Sequence, residues 1–359
     1  MNVSAILVIS DHPSSTEGSN ASALYEQPEP LRRPIVFAEV LGQSVLERTL
    51  VRLRKAGIRP ITVIGGPGLS SLPSNRDVHT IVAENSFTRW PAARQILKEQ
   101  SAQGIETVLL IALGAYTEPN LPAALEFHRT RGIPLTQFED TQGPLDFWIV
   151  DAKWFITAGT GCTLPFQYAE FPGLPIPYPM VRYVNRLTGA RDLRSLVADA
   201  LLLRCELKPR GREVRPGIWL DDGARVHKSS RLVAPVYLGR STKIGPSAVI
   251  TRFSNVERNC RVGWGTVVER ASILPHSVIA GGLDVSHAVV DGNRWVDLER
   301  NLTVHIDDPN LIRDTTPDVG RVPSHPEHAL PNGVDSILAF GYLYRAAGRL
   351  SEMFNWGTG

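Results

Sequence analysis

From Leu220 to Leu274 an aliphatic residue returns at every sixth position: Leu220, Val226, Leu232, Leu238, Ile244, Ile250, Val256, Val262, Val268 and Leu274. Two positions before each stands a small or β-branched residue: Ile218, Ala224, Ser230, Val236, Thr242, Ala248, Ser254, Cys260, Thr266 and Ser272. A helix repeats about every 3.6 residues and a strand every 2, so neither holds a period of six. A β-helix does: each six-residue rung turns one flat side of a prism, with the aliphatic residue inside and the small residue fitted beside it. The phase breaks after Leu274. Val290, Val296 and Leu302 are expected to resume it, with Gly281-Gly282 marking an insertion at a corner.

The chain before the repeat is patterned differently. Apolar runs at Val3–Ile9, Ile61–Ile64, Val108–Ile111 and Phe147–Val150 predict buried strands. Ser44 is placed to cap a helix with Val45, Leu46, Leu50 and Leu53 on its apolar face, ending at Gly57. Further helices are predicted over 91–102, over Leu121–Arg131 with a stop at Gly132, and over Leu193–Leu203. Strands alternating with helices predict βαβ units and a mostly parallel sheet. Asp11–Ser22 and the proline-rich Pro165–Pro179 read as loops, and Pro309–Pro331 as a linker. A final helix, Val334–Phe354, would carry Ile337, Phe340, Tyr344, Ala347 and Leu350 on one side, as a docking or dimer contact. The expected organisation is an α/β domain over 1–210, the prism over 211–308, and linker plus helix over 309–359.

Composition narrows the classes. Of 359 residues 43% are hydrophobic, ample for cores, and the net charge is +2. Arginines at Arg32-Arg33, Arg52, Arg54 and from Arg210 to Arg215 are balanced by acids, which argues against a nucleic-acid surface. Cys162, Cys205 and Cys260 form no CxxC pair and read as free thiols in a reducing compartment. No basic leader or long apolar stretch is present in the sequence, so the expectation is a soluble cytoplasmic protein, off the membrane.

Three stretches carry a resemblance. Residues 34–58, PIVFAEVLGQSVLERTLVRLRKAGI, residues 108–132, VLLIALGAYTEPNLPAALEFHRTRG, and residues 219–245, WLDDGARVHKSSRLVAPVYLGRSTKIG, are similar to segments of the sugar-1-phosphate nucleotidyltransferases (NDP-sugar pyrophosphorylases). The resemblance spans about residues 1–305 and implies a three-layer nucleotidyltransferase-like α/β domain (GT-A/Rossmann-like), then a left-handed parallel β-helix of hexapeptide repeats and a C-terminal helix. In that family a sugar phosphate attacks a nucleoside triphosphate, so backbone N–H donors, a basic side chain and Mg²⁺ must meet the phosphates.

This chain departs from the family at each of those parts. The glycine-rich turn after the first strand falls on Asp11, His12, Pro13, Ser14 and Ser15, which places a carboxylate among the phosphates and removes an N–H at Pro13. The family lysine falls on Ile35, with Arg33 two steps away, and the metal-binding aspartate falls on Ala115, whose methyl cannot ligate. Trp90 aligns with the small turn around the base and would narrow that pocket. The resemblance therefore implies an NDP-sugar pyrophosphorylase-like protein of sugar-nucleotide or polysaccharide metabolism that is catalytically degenerate, without a cofactor. It would act in ligand sensing or assembly, as a homo-oligomer or beside an active relative, with a nucleotide sugar or sugar phosphate as ligand. Ser14, Ser15, Arg33, Thr88 and Asp151 are the candidate ligand-binding positions. One alternative is an active transferase with an atypical site built from Ser14, Ser15, Arg33 and Asp151 and needing Mg²⁺. A second is a hexapeptide acyltransferase using His227, His276 or His287 as general base.

The remaining motifs have plainer readings. Asp221-Asp222 fits the opening turn of the prism. Glu139-Asp140 and Asp151 lie near predicted strand ends, where α/β sheets place ligands. Gly65-Gly66-Pro67-Gly68 lacks the Lys-Ser/Thr ending of a P-loop and reads as a turn.

Overall fold

The computed structural model describes residues 2–9, 31, 34–66, 68–69, 77–83, 86–157, 175–180 and 182–316. Seven strands form the first sheet: β1 (Val3–Ile9), β2 (Ile61–Gly65), β3 (Val78–Val82), β4 (Thr107–Leu113), β5 (Leu135–Asp140), β6 (Gly143–Asp151) and β7 (Ile176–Pro179). Their order is β7-β5-β6-β4-β1-β2-β3. β6 runs antiparallel to both neighbours, β4 and β5, and the other pairs are parallel.

Alternation along β1 sets up the layers, since neighbouring side chains leave a strand on opposite faces. Ala5, Leu7 and Ile9 join the core beneath α1 (Val45–Lys55) and α3 (Leu121–Arg131), while Ile6 and Val8 join that beneath α2 (Ser86–Ala102) and α4 (Ala152–Thr157). The helix ends follow local chemistry. Ser44 accepts from the Glu47 N–H while the Glu47 carboxylate takes the Ser44 N–H, a capping box. α3 stops at Gly132, whose φ of 60° is left-handed. The last helix before the repeat, α5, spans Ala190–Leu201.

The repeat coils into a β-helix-like stack of three parallel sheets. The inner sheet, facing the α/β part, takes Ile218–Leu220, Val236–Leu238, Asn255–Val256, Ser272–Ile273 and Ala288–Asp291. A second takes Arg225–Val226, Lys243–Ile244, Arg261–Val262 and Ser277–Ile279, and a third Arg231–Leu232, Val249–Thr251, Val267–Glu269 and Asp284–Ser286. The positions two before each aliphatic residue do more than save space. Thr242, Ser254 and Thr266 donate their hydroxyls to the carbonyls of Glu257, Val268 and Ala280, and the Cys260 thiol to that of Leu274, so backbone at the corners is satisfied by the next coil.

The period slips twice, and the slips correct the sequence reading. Val249 pairs with Val267 eighteen positions on, but Asn255 pairs with Ser272, Arg261 with Val278 and Val267 with Asp284, each seventeen on. One residue is missing from the turn between Glu269 and Ser272, and another from the same corner one coil on, before Val289, since Ser272 pairs with Val289 seventeen on. The inward series therefore continues as Ile273, Ile279, Val285 and Val290, and Leu274 turns outward. Gly281 is no insertion: a Cβ on Gly263 would come within 2.3 Å of the Gly281 nitrogen, so it stacks at the same corner one coil on. Val296 and Leu302 are not rungs either. They lie in antiparallel strands Arg294–Asp297 and Leu302–His305 that fold back from Ala288–Asp291. The expected linker begins too early as well, because Ile312–Asp314 pairs antiparallel with Ser277–Ile279 and buries Ile312 at the end of the coil.

Residues 1–314 form one compact unit. Leu274, Tyr237, Val289 and Val296 of the coil share a core with Val40, Leu41 and Val45 and with Leu193, Leu196 and Val197 of α5. The predicted helix Val334–Phe354 lies outside the described residues.

Candidate functional site

β1 stands between β2 on one side and β4 on the other, so the sheet has its switch point at the C-terminal ends of β1 and β4, where open α/β sheets hold ligands. Ser14, Ser15 and Arg33, with Asp11, His12 and Pro13, lie outside the described residues. Ile35 opens a short 3-10 turn, Ile35–Phe37. Thr88 is exposed on α2. Its neighbour Arg89 is 2% exposed and donates from Nη1 to the Ile9 carbonyl at 2.6 Å, which puts a buried cation at the end of β1. The sequence offered no signal for it beyond one arginine in a helix. Trp90 does not narrow a pocket at this edge: it packs edge-on against Trp148, 6.4 Å between centroids, in the core beneath α2. At the end of β2, Leu69 donates to the Gly66 carbonyl and its side chain packs against Gly65, which makes a turn.

Ala115 follows the end of β4 and lines a narrow pocket of about 30 Å³ together with Thr49, Arg52, Leu113, Thr117 and Asp146. Arg52 reaches the pocket from α1, but its donors are engaged. It bonds the Thr117 carbonyl and the Tyr116 hydroxyl (3.2 Å), lies 5.3 Å over the Tyr116 ring, and is 3.9 Å from both Glu118 and Glu206. Tyr116 in turn donates to Glu118 at 2.8 Å, and burial pushes its hydroxyl well above the usual tyrosine range. Ala115 offers this pocket a methyl, which cannot ligate a cation, and Asp146 is the one carboxylate in its lining; among the described residues no group of three His, Cys, Asp or Glu side chains gathers.

The other candidates are held apart. Glu139 and Asp140 end β5, two strands from β4. Burial works to raise the Asp140 carboxyl, but Arg186 at 2.6 Å and the Gln142 N–H hold it below its ordinary value. Asp151 ends β6, and because β6 is antiparallel, with Thr107 opposite Asp151, it lies at the far edge of the sheet from Leu113. There it accepts from the Trp154 N–H at 2.7 Å and caps α4. It also borders an open hollow of about 410 Å³ that reaches His128. Burial lowers the His128 pKa, against the pull of Asp151, and its Nδ1 lies 2.8 Å from the Thr136 hydroxyl.

The coil histidines occupy three different corners. His227 Nδ1 lies 2.8 Å from the Ser229 hydroxyl, and His287 Nδ1 lies 3.0 Å from Glu299. His276 and His287 hold left-handed backbone, φ 67° and 48°, as corner residues do here. Asp221 accepts the Asp222 N–H at the opening turn. Cys205 is half-buried and Cys260 buried, both as free thiols, and Cys162 lies outside the described residues.

The densest buried charge lies at the joint between sheet and coil. Glu257, fully buried, accepts from the backbone N–H groups of Leu41 (2.8 Å) and Gly42 (3.0 Å) and from Asn255 Nδ2 (2.7 Å). Leu41 and Gly42 are the turn, φ 54° and 89°, between Glu39–Val40 and Gln43–Ser44, within the first stretch of the resemblance. Glu39 meets Arg258 Nε at 3.0 Å through Oε1, while Oε2 makes no hydrogen bond. Burial and the neighbouring Glu257 push its pKa up to about 7. Burial also raises Glu257, whose three N–H donors pull it back. Burial thus raises both carboxyls, and the three N–H donors favour the charged form of Glu257. Arg194, buried beside them, donates to Ser272, Asn255 and the Phe253 carbonyl, and burial lowers its pKa to about 10.

No family model and no curated protein matches this chain. Among the described residues no helix is long and apolar enough to cross a membrane.

Proposed function

We propose that this chain is a sugar-1-phosphate nucleotidyltransferase-like α/β domain joined to a left-handed β-helix, with its catalytic site lost. It serves sugar-nucleotide or polysaccharide metabolism as a ligand sensor or assembly partner. One observation carries the reading. At the switch point, where triphosphate and metal would meet, Ala115 presents a methyl to a pocket of about 30 Å³, and the cation in its lining, Arg52, is tied to Thr117, Tyr116, Glu118 and Glu206. Phosphoryl chemistry needs unengaged donors aimed at developing charge.

The scaffold around that site is maintained rather than decayed. The capping box of α1, the αL stop of α3 and the inward series of the coil are all intact. The test is to incubate the purified protein with nucleoside triphosphates, Mg²⁺ and a panel of sugar phosphates. No pyrophosphate above background is expected, from the chain as it stands or from Ala115→Asp. Robust release by the native chain ends the proposal. Thermal stabilisation by a nucleotide sugar without turnover supports the sensing role.

A further inference from the structure

The second sheet of the coil carries a ladder of like charge. Arg225 pairs in register with Lys243 and Lys243 with Arg261, so their three outward side chains stack on successive rungs. Val278 takes the next rung, and Arg313 lies opposite it on the closing strand. All four cations are exposed, and none of them makes an ion pair among the described residues. Neighbouring strands lie about 4.8 Å apart, so the charges are close enough to repel, and like charges directly opposite cost stability. A bound polyanion relieves that cost.

The ground beside the ladder is bare and ends on an aromatic ring. At the corner following these strands Gly245 stacks on Gly263 and Gly263 on the Ala280–Gly281 peptide, each so close to the next backbone that a Cβ would clash, and the small Ala280 continues the strip. Trp264 folds its indole against Gly281, 2.4 Å from where a Cβ would stand, and remains 48% exposed. A line of cations, a parallel strip of small residues and one ring platform together make a straight track.

We propose that this face binds a linear carboxylated glycan, with carboxylates on Arg225, Lys243 and Arg261 and a sugar ring stacked on Trp264. Closely spaced carboxylates would relieve the repulsion along the ladder, and a sugar ring supplies the face that stacks on Trp264. An extended acidic peptide repeats on one face every two residues, about 6.6 Å, and misses the ladder. A single-stranded nucleic acid is held in a groove with several stacking aromatics, where this face has one. A lipid surface would meet a broad patch rather than a line.

Retention of the full chain on immobilised polygalacturonate, at low and rising salt, tests this. Native protein is expected to be retained and then released by salt. The triple variant R225Q/K243Q/R261Q should lose about tenfold or more in affinity while its melting temperature holds or rises, since the repulsion along the ladder is relieved. W264A should bind several-fold more weakly with the salt dependence unchanged. Because the Trp264 ring also covers Gly281, the triple variant decides if W264A fails to fold. Three outcomes would overturn the proposal: unchanged retention of the folded triple variant, equal retention on neutral dextran, or tighter binding to polyuridylate or phosphatidylserine vesicles than to polygalacturonate.

Discussion

In the coil the hydroxyls of Thr242, Ser254 and Thr266 each meet a carbonyl one coil away, while at the joint two carboxyls and an arginine share a single buried space. The first arrangement repeats, so Thr242, Ser254 and Thr266 each carry a small and separable share. The second occurs once, and Glu257 alone holds two backbone N–H groups and an amide. Repetition spreads polar burial over many bonds of about 1 kcal/mol each, and a single anchor concentrates it in one group.

Glu257→Ala should show the largest difference. It leaves the Leu41 and Gly42 N–H groups and Asn255 Nδ2 without their acceptor in a buried space, a loss of about 3–5 kcal/mol in denaturant unfolding. A loss below about 1 kcal/mol would mean that the joint is no more concentrated than the coil.

Next comes the pH dependence of the same joint. The folded pKa of Glu39, about 7, lies above its unfolded value near 4.5, so the folded state binds more protons between them. Stability should therefore be fully present below about pH 4.5, fall as pH rises towards 7, and level off above. Glu39→Gln should remove that change, about 3 kcal/mol across the window, read as melting temperature against pH, and a native-like pH dependence in the variant would assign it elsewhere.

Thr242→Val removes one coil hydroxyl at nearly constant shape and leaves the Glu257 carbonyl short of a donor. About 1 kcal/mol is expected, and a loss matching that of Glu257→Ala would erase the contrast between the two regions. Asp151→Ala is the smallest change: with only the cap of α4 lost, about 1 kcal/mol or less should go, and any nucleotide-sugar binding should be unaltered. Loss of that binding would return Asp151 to the candidate site.

Much of the architecture was legible because its causes are local. A period of six dictates which side chain turns inward, Ser44 and Glu47 close their own box, and Gly132 stops α3 through its own φ. The slip between Glu269 and Ser272 was not legible: deleting one residue in a turn leaves the aliphatic Leu274 at the expected spacing but facing the wrong way. The site was less legible still. Ala115 could be read from its neighbours, but the engagement of Arg52 by Glu118 and Glu206 depends on segments far along the chain.

The chain's hydrophobic spacing by itself determined two architectures in series, one alternating strands with helices and one coiled in sixes, because side-chain direction follows backbone period. Tertiary structure decided where the charges went. The reversed direction of β6 carried Asp151 to the far edge of the sheet, and the docking of coil on sheet brought Glu257 to Gly42 across 215 positions. Such placements arise from strand direction and from desolvation between distant segments, and no short window of sequence contains either.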